Sequence, residues 1–290
     1  MNRIFKYIFK YPIEFIFFID FFILFKILPL DLSRSLGSFI ATNIGPMLPV
    51  NKIVRKNLLI AFPSKEKNWH IGTEKKIWHN FGCILAEYAH MKEILNKRIS
   101  VIEDEHSNDF FNNDKNILVS AHSSNWEIPG MSCNIKSDKV SGIVREPNNP
   151  LIRYFLTMLR KKYSVRCFSK DIRGTKNLIK QFQNGDSIAL LADQQLSSGV
   201  ETKFFNKDAK ITSLPAQLAL KFKCKIFLAW PIRKENNDFE FRFFQSITTK
   251  DLEDNQKNID DISNKINEFF EEKISKYPDQ YFWLHNRWKL

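Results

Sequence analysis

The segment Ser120-Ala121-His122-Ser123-Ser124-Asn125-Trp126-Glu127 holds the residue types in this chain best suited to moving a proton. An imidazole takes a proton near neutral pH, and a carboxylate beside it holds the ring and balances the charge that forms. The apolar run 116–121 reads as a strand, so His122 falls at a strand's carboxyl end, where open α/β sheets place ligands. Ser124 or Ser123 can cap the helix that follows, with Glu127 in its first turn and within reach of the ring. On this reading His122 is the general base and Glu127 orients it. The same letters also fit a capping box, Ser124-x-x-Glu127, in which the glutamate only closes the helix start. Both readings are open at the level of sequence.

What the chain lacks narrows the chemistry. It has no G-x-S-x-G elbow, no H-E-x-x-H pair, no P-loop and no G-x-G-x-x-G turn. A histidine–carboxylate pair with no nucleophile of its own suits transfer to an incoming hydroxyl, with the substrate supplying the attacking oxygen.

The elements that must position this motif alternate. Short apolar runs at 116–121, 140–144, 187–192 and 225–230 read as strands, and 151–162, 175–184 and 213–223 read as helices between them. Two helices precede them, at 51–62 and 74–95, and an amphipathic helix follows at 259–276; residues 239–244 suit an edge strand. The expected fold is α/β, one domain with a largely parallel central sheet flanked by helices.

Residues 12–30 form an apolar stretch preceded by Arg3, Lys6 and Lys10. No small-residue cleavage site follows it, which argues against a signal peptide. Glu14, Asp20 and Lys26 interrupt it, and a charge near mid-bilayer costs roughly 2.5–3.5 kcal/mol. Residues 1–32 are therefore expected to form an N-terminal membrane-anchoring helix that dips into the cytoplasmic leaflet, with 33–290 as the catalytic domain. A full crossing and a buried soluble helix are the alternatives.

The chain has 290 residues, a net charge of +12 and four widely spaced cysteines. The lysines are spread along the chain with no compact basic helix or zinc-finger spacing, so nucleic acid is not expected as a partner. An anionic membrane face or an acidic protein suits the charge better. The cysteines show no paired spacing and read as reduced thiols.

Further blocks surround the His122 motif. Asn57-Leu58 with Ala61-Phe62-Pro63 comes first, then Arg145-Glu146-Pro147 with Asn149-Pro150, then Arg160. Leu191-Ala192-Asp193-Gln194 with Phe204-Phe205 and the tail Tyr277-Pro278-Asp279-Gln280-Tyr281-Phe282-Trp283-Leu284-His285-Asn286-Arg287-Trp288-Lys289 follow. In this order, over nearly the whole chain, the sequence resembles the lipid A biosynthesis lauroyl/myristoyl acyltransferases, related more distantly to the glycerol-phosphate acyltransferases. Glu146 intrudes into that family's Arg-Pro pair, and Asn286 stands where arginine is usual.

The resemblance implies a glycerol-phosphate acyltransferase-like fold on the cytoplasmic face of an inner membrane. It implies acyl carrier protein as donor, a lipid A precursor hydroxyl as acceptor, no metal or organic cofactor, and no covalent intermediate. His122 and Glu127 are then the catalytic residues, and Asn125, Arg145, Arg160 and Asp193 are expected to bind substrate. Arg160 or backbone N–H groups are candidates to stabilise the oxyanion. Arg145 suits a phosphate or the carrier's arm, and Asp193 could hold one of these arginines. Ordinary ion pairs are the alternative for the arginines, and a structural turn for Asp193. His285 and Trp283 are expected to pack structurally. An acyl-CoA donor with another glycolipid or a lysophospholipid as acceptor, a lipid carrier without chemistry, and a metal-dependent glycosyltransferase are the rival functions.

Overall fold

Two consecutive helices open the computed structural model, which describes residues 6–137, 139–144, 146–196 and 199–288. After a π-helical turn at Lys6–Lys10 come α1 (Tyr11–Ile27) and α2 (Leu30–Ile44). Pro29 ends the first of them by holding Leu28 extended, at ψ 148°. One side of α1 meets the body, where Phe18 and Phe22 pack edge-on against Phe155 at 5.5 and 4.8 Å. Its other side leaves Ile13, Ile16, Phe17, Phe21, Leu24 and Ile27 exposed. Among the described residues no helix is long and apolar enough to cross a membrane.

Next come α3 (Asn51–Ala61), α4 (Lys67–Glu87), a 3₁₀ turn at Tyr88–His90 and α5 (Met91–Lys97). The sequence suggests one helix over 74–95. Instead α4 starts earlier, with Trp69 packed on Phe62 at 5.0 Å, and the 3₁₀ turn breaks it. That break brings Tyr88 to the site described below.

Helices α2 and α4 cross at Gly37 and Gly82, where a Cβ on Gly82 would lie 2.2 Å from the Gly37 carbonyl oxygen. Only bare backbone fits there. Gly82→Ala is expected to force the helices apart and cost about 1–3 kcal/mol, measured by urea unfolding. An unchanged midpoint would mean that the crossing relaxes freely.

The remainder alternates as β1 (Ile99–Val101), α6 (Glu105–Asn112), β2 (Ile117–Ser120), α7 (Ile128–Lys136), β3 (Val140–Val144), α8 (Pro150–Tyr163), β4 (Arg166–Ser169), α9 (Ile172–Gln183) and β5 (Ser187–Leu191). It continues with β6 (Val200–Phe204), β7 (Lys207–Ile211), α10 (Leu214–Phe222), β8 (Ile226–Arg233), β9 (Phe239–Ile247) and α11 (Gln256–Lys276). The main sheet has the order β1-β9-β8-β2-β5-β3-β4. Every neighbouring pair in it is parallel except β8–β9. β6 and β7 form a separate antiparallel hairpin. The fold is thus mixed α/β with a mostly parallel central sheet flanked by helices.

β2 lies at the centre and is buried along its whole length, as a strand covered on both faces must be. Ile117 and Val119 face one core layer with Ile188, Leu190 and Trp230. Leu118 faces the other, with Phe110, Phe227, Phe241 and Phe243.

One sequence expectation needs correction here, and four elements were not foreseen. Residues 239–244 are not an edge strand: β9 runs on to Ile247 and sits between β1 and β8, because its inward phenylalanines join the second layer. The elements β1, β4, β6 and β7 went unread, since each is short and β6 and β7 are rich in charged residues.

Candidate active site

The parallel register of β2 and β5 builds the site. Ser120 pairs with Leu191, and Ala192 N–H donates to the Ser120 carbonyl at 2.9 Å, so His122 and Asp193 leave the two strands side by side. Asp193 Oδ1 accepts from the His122 backbone N–H at 3.0 Å and lies 2.8 Å from His122 Nδ1. A carboxylate can only accept, so Nδ1 carries a hydrogen, and in the neutral ring Nε2 keeps its lone pair. Among the described residues Nε2 has no partner, and the His122 side chain is 21% exposed against 2% for Asp193. The ring is therefore reachable while its brace is not. Burial alone would push the Asp193 carboxyl up; the attraction and hydrogen bonds of His122 outweigh it and hold it below the usual carboxylate range.

Aromatic side chains wall the imidazole. Trp126 and Phe282 lie with ring centres 6.2 and 6.1 Å from it and meet each other edge-on at 5.3 Å, and Phe81 extends the same wall. Such a surface keeps water from one side of the ring.

Glu127 is not where the sequence suggests. The carboxylate on the imidazole is Asp193. Glu127 instead accepts from Arg160 Nε at 3.0 Å, from Arg160 Nη2 at 2.6 Å and from the Tyr88 hydroxyl at 2.7 Å. The cause is local. Ser124 takes φ +54°, a left-handed turn held by its N–H to the Gln280 carbonyl at 2.7 Å and by Asn80 on its own carbonyl at 3.2 Å. The chain therefore turns before the helix. Glu127 ends up just outside α7, at its N-cap position, where it faces α8 rather than the ring. The capping-box reading does not hold either, because Glu127 makes no side-chain cap and Ser124 Oγ has no partner.

The other expected residues divide. Arg160 enters the region but is committed to Glu127. Burial would lower its pKa, yet the Glu127 charge raises it further still, so it stays a cation. Asn125 is buried, with both ends of its amide occupied: Nδ2 donates to Glu87 at 2.8 Å and Oδ1 accepts from the Glu127 N–H at 3.0 Å. It shapes the loop rather than facing a ligand. Asp193 holds the imidazole rather than an arginine. Arg145 lies outside the described residues. His285 and Trp283 pack structurally, as expected: His285 Nε2 accepts from the Gln195 N–H at 3.1 Å, and Trp283 Nε1 donates to the Pro278 carbonyl at 2.6 Å.

A buried ionic cluster supports this loop and was not read from sequence. Glu87 is fully buried between Arg34, whose Nε is 2.8 Å away, and Arg233, whose Nη1 and Nη2 lie at 2.5 and 3.0 Å. Arg233 also donates to Asn80, which holds Ser124. Arg34, Glu87 and Arg233 lie far apart in sequence with no motif to link them. The Asp193 brace was missed in the sequence; the signal that could have found it is the pair Ala-His and Ala-Asp just past two apolar runs, which face each other once those strands are neighbours.

Among the described residues no group of His, Cys, Asp and Glu side chains has the arrangement to hold a metal ion. Burial pushes the thiols of Cys83 and Cys167 up to about 11 and those of Cys133 and Cys224 up to about 12, so none is a ready nucleophile.

Comparison with known families decides the identity. Residues 3–290 match the model of the bacterial lipid A biosynthesis acyltransferase family. The chain belongs to that family. As a lipid A biosynthesis acyltransferase it is a transferase of acyl groups, and its His122 motif and Asp193 block fall inside the matched region. No curated protein sequence matches this acyltransferase. Among solved structures it is similar to the 1-acyl-sn-glycerophosphate (LPA) acyltransferase, PlsC, from Thermotoga maritima, at 12% identity, covering 85% of this chain and 98% of that chain with a TM-score of 0.40.

Proposed function

We propose that this acyltransferase moves a fatty acyl group from the thioester of acyl carrier protein to a hydroxyl of a lipid A precursor, directly and without an acyl-enzyme intermediate. The observation that carries the reading is the His122–Asp193 pair, 2.8 Å apart at the carboxyl ends of adjacent parallel strands, with Nε2 open beside an aromatic wall. Nε2 removes the acceptor hydroxyl's proton as the oxygen attacks the thioester carbonyl. Asp193 stabilises the imidazolium that forms, and the proton passes on to the departing thiolate. Thioester cleavage is downhill, so the reaction itself asks for no metal or organic cofactor.

The Glu127–Arg160 pair serves this reaction from the side. It fixes Tyr88, whose hydroxyl accepts from Trp126 Nε1 at 3.0 Å, and so fixes the indole against which the imidazole lies. Arg145 remains assigned to a phosphate of the acceptor or the carrier's arm, and the basic surface suits an acidic carrier.

The working place proposed is the cytoplasmic face of the inner membrane. Helix α1 supports it. Asn149 donates to the Tyr11 carbonyl at 2.9 Å and Lys26 to the Ala89 carbonyl at 2.8 Å, so the helix lies along the body with Ile13, Ile16, Phe17, Phe21, Leu24 and Ile27 outward. A contiguous exposed apolar side of this kind is suited to burial against a membrane surface.

The test is acyl transfer by the purified chain, given matched carrier-protein and coenzyme A thioesters and a lipid A precursor, with mass spectrometry of the product. The expected result is a lipid heavier by one acyl group, made faster from the carrier-protein donor. Equal or faster use of the coenzyme A donor removes the carrier-protein assignment, and no acylated glycolipid from either donor removes the acceptor.

A further inference from the structure

The segment that follows α11 touches both halves of the site. Phe282 N–H donates to the His122 carbonyl at 2.9 Å, Ser124 N–H donates to the Gln280 carbonyl at 2.7 Å, and Ser123 pairs with Tyr281 in an antiparallel bridge. These bonds hold the loop of the base. Further along, His285 reaches the loop of the brace, where the Gln195 backbone N–H donates to His285 Nε2 at 3.1 Å. A backbone N–H can only donate, so Nε2 accepts with its lone pair. The chain is thus held on both sides of Asp193, since Ala192 N–H donates to the Ser120 carbonyl at 2.9 Å. The segment is itself anchored to regular elements. Gln280 accepts from the Arg233 N–H and donates to its carbonyl, each at 2.9 Å, where β8 ends. Asn57 of α3 donates to the carbonyls of Trp283 and His285, both at 2.8 Å.

We propose that residues 280–285 form a strap that sets the separation of His122 and Asp193, and that His285 is its positioning residue on the Asp193 side. The two loops leave neighbouring strands, and past the last strand bond nothing in the sheet itself fixes one against the other. An anchored segment bonded to both supplies that restraint. Without the His285 bond, β5 still delivers Asp193 to the site, but the chain beyond it is released and the carboxylate can swing away from Nδ1. His285 acts through the Gln195 backbone and Asp193, not on the reacting atoms. The proposal rests on the catalytic reading of His122 and Asp193 given above.

His285→Phe keeps a flat ring and removes the acceptor, whereas His285→Gln offers an amide oxygen to the Gln195 N–H in its place. A misplacement of about 1 Å at a reacting group costs about 10²-fold, so His285→Phe is expected to lower kcat by about 10–100-fold with KM close to wild type. His285→Gln is expected to recover most of that loss. In an Asp193→Asn background His285→Phe is expected to cause little further loss, since the carboxylate it serves is gone. A readout independent of turnover is the low-field proton resonance of the His122 Nδ1–H bond to Asp193, assigned by its loss in His122→Ala. It is expected to move in His285→Phe and to return close to its wild-type position in His285→Gln. An unmoved resonance overturns the proposal, as does an equal loss of kcat in both backgrounds or a His285→Gln no better than His285→Phe. If His285→Phe does not fold, Gln280→Met, which cuts the strap's other anchor, takes its place, and an unmoved resonance there overturns the proposal equally. If the wild-type chain transfers no acyl group from either donor, the functional reading fails by itself, and the resonance alone decides the role of the strap.

Discussion

His122→Ala lowers acyl transfer by about 10²–10⁴-fold, the range that loss of a positioned general base produces. The ring lies at the mouth of the site, not in the core, so the variant is expected to fold and to keep its thermal midpoint within a few degrees. Asp193 keeps the backbone N–H of residue 122 as a donor. Because the loss is in the proton transfer, it appears in kcat more than in KM. Steady-state rates at saturating donor and acceptor check it. Turnover within a few-fold of wild type would remove His122 from the reaction.

Glu87→Gln is expected to be the most damaging change away from that ring. Its carboxylate is the only acidic partner found, among the described residues, for the Arg233 guanidinium, and it shares Arg34 with the exposed Asp31. Removing the charge leaves two buried cations facing each other, and breaking a buried pair in this way costs about 3–5 kcal/mol. Against a total stability of about 5–15 kcal/mol, that is a large share.

The pH dependence follows with its sign. Burial pushes the Glu87 carboxyl up, but Arg233 and Arg34 outweigh it and hold it below the usual range. A carboxyl lower in the folded than in the unfolded chain stabilises the fold fully above the unfolded value, about pH 4.3, and loses that contribution as pH falls through the folded value. Urea unfolding of Glu87→Gln should therefore show a lower midpoint at neutral pH and a shallower loss toward acid. Equal midpoints at neutral pH would mean that the two arginines find other partners.

The strands at 116–121, 140–144 and 187–192 were legible because a parallel sheet needs continuous apolar runs, and those runs fix the order of helices between them. His122 was legible for the same reason, as the first polar group past a buried strand. Its brace was misread. A carboxylate five residues along a helix looks nearer than one 71 positions away, and the sequence carries no sign that Ser124 turns left-handed and carries Glu127 off toward Arg160. Strand register brings Asp193 close instead. The Glu87 cluster and the hold of the tail on His122 escaped for a related reason: both join residues whose neighbourhood exists only after the sheet has formed. The short strands β4, β6 and β7 have too little apolar surface of their own to announce themselves.

The most direct test of the account replaces Asp193 with asparagine and measures kcat beside His122→Ala and the double variant. An amide cannot balance the imidazolium, and it can present its own N–H to Nδ1 and favour the wrong tautomer. A base and brace that work as one unit give a single-variant loss within about tenfold of His122→Ala, and a double variant no worse than the poorer single. Wild-type-like turnover by Asp193→Asn, or losses that multiply in the double variant, would contradict the pairing on which the account stands.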